Sequence, residues 1–573
     1  MKIGESQSMR SRVANARRVA GLLMVTTAFL AGLLVGRPPT ASHLWQALGT
    51  LPDRLTGAMG PADELPTLTL DMDFAAYDDL LTLRAQAIAD GVYIPADKDF
   101  VEATIRITDG MNASLSPVSV MVRLPEGPTG YLVNKNDTEP GWAFEVHTRQ
   151  EERLWEASES GWQTFTLFPL GNEEMNEDML TAWAFQQALA REDILTVGIR
   201  FVHLVFNGAD RGVYALREGF GDPFPTDQGR PAGVALRFDV RPLWESILHF
   251  QGDAEAAFAD PVARLWADDF HAFTVSVVYQ PEETVTREQV ERAVSLLRAV
   301  HRGEITASAA FDVERYGRFL ALADLWGVSE AVSPVSARYF YHPIADRLEP
   351  VGFDAIPHPK ESGARLPLSA TFGDPLIQAA YIRAAYRLSQ PDYLATLRTE
   401  IEPRMERLRR GIGEVGQSGL WEALAEHQAL LRQSLSPAQP VMAYLDPTTS
   451  WLSGTLSIEV ENAIALPVEI VAFEVGGATT LPADRRWLRT SARATPVTLP
   501  NHPEEVILPG DTLNCSHTAP SLWFDIPLQA VYRRDRDLDW LTEPEIVVLT
   551  RVVGLTAVQR TVVHSGVLPV EGR

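Results

Sequence analysis

The sequence predicts an α+β protein with one transmembrane helix at its N-terminus and an antiparallel β-sandwich at its C-terminus. Three patterns carry this prediction. An uncharged apolar run covers residues 19–36, and strand-like alternation is mixed with helix-like periodicity over residues 65–435. Beyond residue 436, β-rich runs are separated by Gly, Pro and Asp with little helical pattern between them. We therefore expect a membrane segment, a mixed domain over 65–435 and a β-sandwich domain over 436–573.

The composition excludes several classes of protein. With 573 residues that are 46% hydrophobic and 22% charged, the chain is long enough for two or three globular domains and is not intrinsically disordered. Its one cysteine, Cys515, allows neither an internal disulfide nor a Cys-rich zinc site. The formal net charge of −25 repels a phosphate backbone, so we expect no nucleic-acid partner.

The N-terminus has the charge pattern of an exported protein. Residues 1–18 form a basic tail, predicted to be cytoplasmic, and the apolar run after it would make a helix of about 27 Å, enough to cross a hydrocarbon core. This signal-anchor would place the bulk of the chain outside the cytoplasm as a single-pass membrane protein. The alternative is a cleaved signal peptide, because small residues follow at 40–42, and the protein would then be secreted. Residues 37–64, rich in Pro, Gly, Ala and Thr, are predicted to be a linker.

Strands and one hairpin are predicted in the first half of the mixed domain. Alternation predicts strands over 67–74, 101–108 and 116–124, and helical spacing predicts a helix over 75–89 that ends at Gly91. The clearest hairpin joins 199–206 to 212–217 through Asn207-Gly208, a pair that accepts the positive φ angles of a tight loop.

Helices dominate the second half of the mixed domain. Thr286 and Gln289 form a capping-box pattern before an apolar stripe, and Asp312 can cap a further helix that Gly327 ends. Helical pattern also fills residues 374–434, where prolines mark breaks or first turns. The predicted strands of the C-terminal domain include 455–460, 467–475, 546–553 and 561–570.

The common catalytic motifs are missing from the sequence. It has no phosphate-binding G-x-x-x-x-G-K-[ST] loop, no H-E-x-x-H helix, no G-x-S-x-G turn and no Cys/His cluster. Asp71 and Asp73 share one face of a predicted strand, which would suit a divalent cation, but we favour two solvated carboxylates because the opposite face is apolar.

Two segments each combine several informative features. Residues 201–220, FVHLVFNGADRGVYALREGF, hold a strand, an Asn-Gly loop, a Gly-Val-Tyr triplet and a Glu-containing turn. Residues 311–357 hold an Asp-capped helix, an aromatic strand and an Asp at a strand end. At these segments the chain resembles the CotH kinase family. The resemblance runs in order over residues 65–357 through further matching positions: Arg84, Ala87, Gly91, Arg123-Leu124, Trp142-Ala143-Phe144, Phe165-Thr166-Leu167 and Trp183-Ala184-Phe185.

This resemblance implies an atypical protein-kinase-like fold for residues 65–435, with ATP and magnesium as cofactors and a protein substrate phosphorylated on Ser or Thr. Such a reaction needs cations to hold the phosphates, oxygens to hold the metal and a base to orient the hydroxyl. On this resemblance Asp354 is the candidate catalytic residue and a metal ligand, and Ser336 is a weaker metal ligand. The candidate nucleotide-binding residues are Arg123, Arg217 and Glu218.

The chain departs from the family at positions that handle charge. Pro125 stands where relatives carry a Lys, and Gly141 and Glu145 flank the Trp-x-Phe motif where relatives carry a basic residue. Ser336 replaces an Asn, and Asp354 is the one acid left of an Asp-x-Asp pair. Fewer cations weaken the hold on a triphosphate, and fewer carboxylates weaken the hold on magnesium.

Our hypothesis is a degenerate CotH-like protein that binds a protein partner or supports envelope assembly and uses no cofactor. The first alternative is an active atypical Ser/Thr kinase, with Asp354 and Glu218 on magnesium and an arginine on the phosphates. The second alternative is an adhesin-like protein that binds carbohydrate or protein through its C-terminal sandwich. Exposed aromatic side chains on one face of that sandwich would favour the second alternative.

Overall fold

The computed structural model describes residues 65–573 with gaps. The described ranges are 65–108, 117–129, 132, 142–149, 162–170, 173–220, 226–250, 274–281, 284–333, 335–353, 357, 373–413, 419–447, 450, 454–477, 479–489, 494–499, 502–510, 519–533 and 545–566. The predicted transmembrane segment at 19–36 and the candidate Asp354 both lie outside these ranges.

A closed barrel occupies the first part of the described chain. Its elements and those next to it are β1 (Thr67–Asp71), α1 (Phe74–Asp90), β2 (Val92–Tyr93), β3 (Val101–Thr108), β4 (Val118–Arg123), β5 (Gly127–Pro128), β6 (Phe144–Thr148), β7 (Thr164–Pro169), α2 (Glu173–Arg191), β8 (Leu195–Thr196), β9 (Ile199–Phe206) and β10 (Ala209–Glu218). Seven strands follow one another around the barrel in the order β1-β3-β4-β6-β7-β10-β9. The parallel pair of β1 with β9, which sets Leu68 opposite Leu204, closes the ring.

The barrel strands alternate between an inner and an outer face, as a filled barrel requires. In β3 the side chains of Ala103, Ile105 and Ile107 are buried, and the residues between them are exposed. Aromatic rings fill much of the interior, where Phe144 and Phe206 meet edge to face with centroids 5.0 Å apart. Each inward side chain thus contributes to one apolar core.

Helix α1 packs on this barrel core through Leu80, which is fully buried. The helix begins at Asp73, whose carboxylate accepts a hydrogen bond from a backbone N–H of the first turn, and it ends at Gly91 with φ 73°. Asp73 therefore serves as a helix cap, and the exposed Asp71 lies at the end of β1. The predicted strand over 67–74 is shorter because this cap begins the helix early.

A five-stranded sheet and its helices follow the barrel. The elements are β11 (Val234–Phe238), α3 (Arg241–His249), β12 (Val275–Tyr279), α4 (Arg287–His301), α5 (Ala307–Ala310), α6 (Val313–Trp326), β13 (Arg338–His342), β14 (Arg347–Gly352), α7 (Pro375–Leu388), α8 (Pro391–Ile412) and α9 (Leu420–Leu435). The sheet order is β12-β11-β13-β14-β8, so β8 links the sheet directly to the barrel strand β9.

The predicted helix ends in this part are confirmed. Thr286 and Gln289 form the capping box of α4, and Asp312 caps α6, which ends at Gly327 in the left-handed conformation. Pro391 is the first residue of α8, but Pro403 lies inside that helix and does not break it.

Two further sheets form the C-terminal part. Their elements are β15 (Val441–Leu445), β16 (Thr455–Asn462), β17 (Val468–Val475), β18 (Thr479–Pro482), β19 (Leu488–Arg489), β20 (Val497–Leu499), β21 (His502–Leu508), β22 (Ser521–Pro527), α10 (Leu528–Tyr532), β23 (Ile546–Val552), β24 (Gln559–Val562) and β25 (His564–Ser565). One sheet has the order β19-β22-β16-β15-β25, and the other has the order β20-β21-β17-β23-β24 with β18 on β17. Both contribute to one core, where Phe473 and Phe524 lie 4.9 Å apart.

The predicted fold class is wrong. The sequence predicted an α+β kinase-like domain followed by an antiparallel sandwich. The structure is instead a mixed α/β fold that contains a seven-stranded closed barrel. The sequence pattern of each strand is local, whereas the β1–β9 pair that closes the ring joins distant parts of the chain. The C-terminal sheets are not wholly antiparallel, because β15 pairs with β25 in parallel. Among the described helices, none is long and apolar enough to cross a membrane.

Candidate functional site

Two of the predicted cations lie in one row on the outer face of the barrel. The strand registers place Arg123 opposite Glu145, Glu145 opposite Thr166, and Thr166 opposite Arg217. Residues that face each other across neighbouring strands project to the same side of a sheet. Three strand spacings of about 4.8 Å separate the backbones of the two arginines by about 14 Å.

Arg123 is held by a carboxylate. Its Nε lies 2.9 Å from Glu145 Oε2, and its Nη2 lies 2.8 Å from Glu145 Oε1. The guanidinium also lies over the Phe100 ring at 4.3 Å, and His147 Nε2 lies 2.8 Å from the same carboxylate. Burial alone would raise the pKa of Glu145, but the hydrogen bonds with His147 and Arg123 outweigh it and hold that pKa below its usual value. Glu145 thus neutralises Arg123.

Arg217 lies between two aromatic rings. Its guanidinium is 4.9 Å from the centroid of Phe168 and 4.6 Å from that of Phe353. Arg338, which the sequence did not single out, lies over the same Phe353 ring at 4.7 Å. We call these four residues the Arg–Phe cluster. It joins the last barrel strand to the end of β14, directly before Asp354 in the chain.

Backbone carbonyls fix the second arginine of the Arg–Phe cluster. Arg338 Nη1 donates to the carbonyl oxygens of Val335 and Ala337 at 3.0 and 3.1 Å. The candidate Ser336 lies between these two residues, and its backbone N–H donates to Ser333 Oγ at 3.4 Å. The structure therefore brings Arg217 and the segment around Ser336 to one place, while Arg123 lies farther along the barrel.

Glu218 follows Arg217 in β10 and projects to the other face of the strand, where Gly198 approaches it. Its Oε2 accepts a hydrogen bond from the Gly198 backbone N–H at 2.8 Å. A Cβ at Gly198 would lie 2.4 Å from the Trp162 ring, so this approach needs glycine. Arg200 lies over that same ring at 4.7 Å. Burial raises the pKa of Glu218 to about 7, although the Gly198 N–H and the charge of Arg200 oppose the shift. This carboxyl can gain or lose a proton near neutral pH.

The described candidates supply few of the oxygen ligands of a magnesium ion, and the remaining candidate, Asp354, lies outside the described residues. Ser336 offers one hydroxyl, and the Glu218 carboxyl already accepts a hydrogen bond from the Gly198 N–H. Within the described ranges, no group of three or more His, Cys, Asp or Glu side chains is arranged to hold a metal. Magnesium prefers several hard oxygen ligands, which this donor set does not supply.

A second candidate surface lies on the outer face of the first C-terminal sheet. The registers align Tyr444, Glu459, Trp523 and Arg489 across four strands. Arg489 lies over the Trp523 ring at 5.1 Å and also binds Asp525. Half-buried aromatic rings beside fixed polar groups can stack on a flat ligand and hydrogen-bond its edges.

No protein-family model matches the chain, and a comparison with curated proteins finds no similar protein.

Proposed function

We propose that this chain is a recognition protein of the cell envelope, related in sequence to the CotH kinases but with a degenerate nucleotide site. The observation that carries the proposal is that its arginine side chains already have partners within the protein. Arg123 is paired with Glu145, Arg217 is stacked between Phe168 and Phe353, and Arg338 is bound to backbone carbonyls.

The energetics of the Arg123 pair support this proposal. A triphosphate that takes the Nε–Nη2 edge of Arg123 must displace Glu145, whose carboxylate would then lose two charge-assisted hydrogen bonds in a half-buried position. Leaving a half-buried carboxylate without these hydrogen-bond donors costs about 1–3 kcal/mol. That cost subtracts directly from any affinity for a nucleotide.

The place of action follows from the N-terminal sequence. The basic tail over 1–18 and the apolar run over 19–36 support an envelope location with a protein as the partner. Cell fractionation tests this location, and full-length protein found wholly in the cytoplasmic fraction would contradict it.

Nucleotide binding by the full-length chain is the decisive test of the degenerate site. We expect any thermal stabilisation by millimolar ATP with Mg²⁺ to be the same in the wild type and in Asp354→Ala. Asp79→Ala, a change at an exposed position of α1, is the matched control. Stabilisation by ATP that Asp354→Ala abolishes and Asp79→Ala preserves would contradict the degenerate site and favour the active kinase.

A second candidate function is adhesin-like binding of carbohydrate at the row of aromatic and charged side chains on the C-terminal sheet, whose two rings are half-buried. Tyr444 and Trp523 flank Glu459 on that face. Glycan-array binding by the wild type that is lost in Trp523→Ala, and kept in a control change at the exposed Tyr532, would support it. An array without signal would remove this candidate.

A further inference from the structure

A groove lined by four arginines lies between the end of α2 and the helices α6 and α7. Arg191 comes from α2, Arg318 from α6, and Arg383 and Arg387 from α7. The groove has a volume of about 590 Å³, which is within the range of small-molecule sites. None of the residues of the Arg–Phe cluster lines it.

Small residues give the groove its depth. Helices α6 and α7 cross so closely that a Cβ on Gly317 would lie 2.6 Å from the Ala380 side chain. Ala380 and Ala384, one turn apart on α7, line the groove together with the arginines. The lining therefore combines methyl groups with guanidinium groups.

The arginines of the groove differ in how they are satisfied. Arg387 binds both oxygens of Glu192, a side chain only 7% exposed, and this pair fixes its position. Arg191 pairs with Glu400 at 2.8 Å. Arg383 pairs with Glu314, and both side chains of that pair are largely open to water.

Arg318 is the exception among the four. Its Nε donates to the backbone carbonyl oxygen of Glu192 at 3.0 Å. Within the part of the chain that the structure describes, its two Nη groups have no carboxylate partner. A guanidinium carries five N–H donors in a planar fork, so four of the five remain for a ligand at the groove wall.

The neighbouring acids do not neutralise Arg318. The Asp193 carboxylate is engaged by Arg230 at 2.7 Å and by Arg315 at 2.8 Å. The Glu192 carboxylate is engaged by Arg387. An incoming anion would therefore meet one available fork at Arg318, and it could also displace the exposed Glu314 from Arg383, since water already competes for that pair.

We propose that this groove binds a small polyanion through phosphate or carboxylate groups, with Arg318 as the principal contact and Arg383 as the second. The proposal goes beyond the recognition function proposed above, because it assigns a ligand class to a different place in the fold. The planar guanidinium matches the geometry of both phosphate and carboxylate groups. The property that the two ligand types share is a cluster of negatively charged oxygens.

Calorimetric titration of the full-length chain with pyrophosphate and, separately, with citrate tests the proposal. We expect binding that Arg318→Ala weakens about tenfold or more, since a pair of charge-assisted hydrogen bonds is lost. Arg318→Lys should recover part of the affinity, because it restores the charge without the fork. Binding of pyrophosphate alone would identify a phosphate ligand, and binding of both anions would identify the shared chemistry. The matched control is Arg287→Ala, a position 92% exposed on α4, which should leave the affinity unchanged.

Several results would overturn the proposal. They are failure of both anions to bind at millimolar concentration, unchanged affinity in Arg318→Ala, or loss of binding in Arg217→Ala, which would place the anion at the Arg–Phe cluster. Should Arg318→Ala fail to fold by circular dichroism, Arg383→Ala decides the question, and an unchanged affinity in that variant would overturn the proposal.

Discussion

The outer face of the barrel and the groove beside α6 both carry arginines, but their guanidiniums are satisfied in different ways. On the barrel face Arg123 is paired with Glu145, and Arg217 is stacked between two rings. In the groove the Nη groups of Arg318 have no carboxylate partner within the described residues. The number of arginines in a region is therefore a poor guide to anion binding. What matters is the free energy of the contacts that each guanidinium loses when it accepts a ligand.

The largest effect should come from breaking a buried pair next to the groove. Glu349 Oε2 lies 2.9 Å from Arg230 Nε, and the two side chains are 2% and 7% exposed. Glu349→Ala leaves the buried Arg230 with Asp193 as its one carboxylate partner among the described residues, so we expect the free energy of unfolding to fall by about 3–5 kcal/mol. Denaturant unfolding measures it. Glu291→Ala, which removes an exposed pair with Arg287, should cost less than about 1 kcal/mol, and equal losses in the two variants would contradict our distinction between buried and exposed pairs.

Glu218 gives the barrel a dependence on pH. Its pKa rises on folding from an ordinary 4.5 to about 7, so the folded state binds the proton more tightly than the unfolded state. The stability from this group is present below about pH 4.5 and is lost as the pH rises to about 7, by about 1–3 kcal/mol. The free energy of unfolding should change less with pH across this window in Glu218→Gln than in the wild type. Identical slopes would show that this carboxyl does not titrate with folding.

A variant without the Glu145 charge tests whether this pair keeps Arg123 on the barrel face from binding an anion. Glu145→Gln removes the charge that neutralises Arg123, and we expect a loss of about 1–2 kcal/mol in unfolding free energy. The same variant should bind Mg²⁺-ATP more tightly than the wild type in a thermal-shift titration, since Arg123 no longer has to leave a carboxylate. A stable variant with unchanged nucleotide binding would mean that the Glu145 pair does not limit this site.

The smallest effect on stability should come from Arg383. Its pair with Glu314 is exposed on both sides, so Arg383→Ala should change the unfolding free energy by less than about 1 kcal/mol. Thermal unfolding without added anion measures this change. A much larger loss would assign Arg383 a structural role in the crossing of α6 and α7.

Local features of the fold could be predicted because their causes are local. The capping box of Thr286 and Gln289, the cap at Asp312 and the end at Gly327 each depend on a few neighbouring residues. Closure of the barrel could not be predicted in this way. Met72 N–H reaches Asn207 Oδ1 across 135 positions of the chain, and no periodicity within β1 indicates β9 as its neighbour.

The candidate site residues remain predictions, and the structure shows which contacts a sequence can and cannot indicate. The motif indicated Arg217 and Glu218, and the structure places Arg217 against Phe353, the residue that precedes Asp354 in the sequence. Arg338 was missed because its partners, a ring on β14 and the carbonyls before it, become neighbours only after the β13–β14 hairpin forms. Likewise, the proposed role of Arg318 depends on what its neighbours Glu192 and Asp193 already bind, which a sequence does not record.

Closure of the barrel through β1 and β9 also limits how partners can join this protein. A ring of seven strands has both sides of every strand occupied, so it offers no open backbone edge to which an extended peptide could add by main-chain pairing. Within the described ranges, the open sheets do end in such edges, at β12 and β8 in the five-stranded sheet and at β19, β20, β24 and β25 in the C-terminal part. A partner that binds by adding a strand would therefore dock at one of these borders and leave the barrel wall untouched.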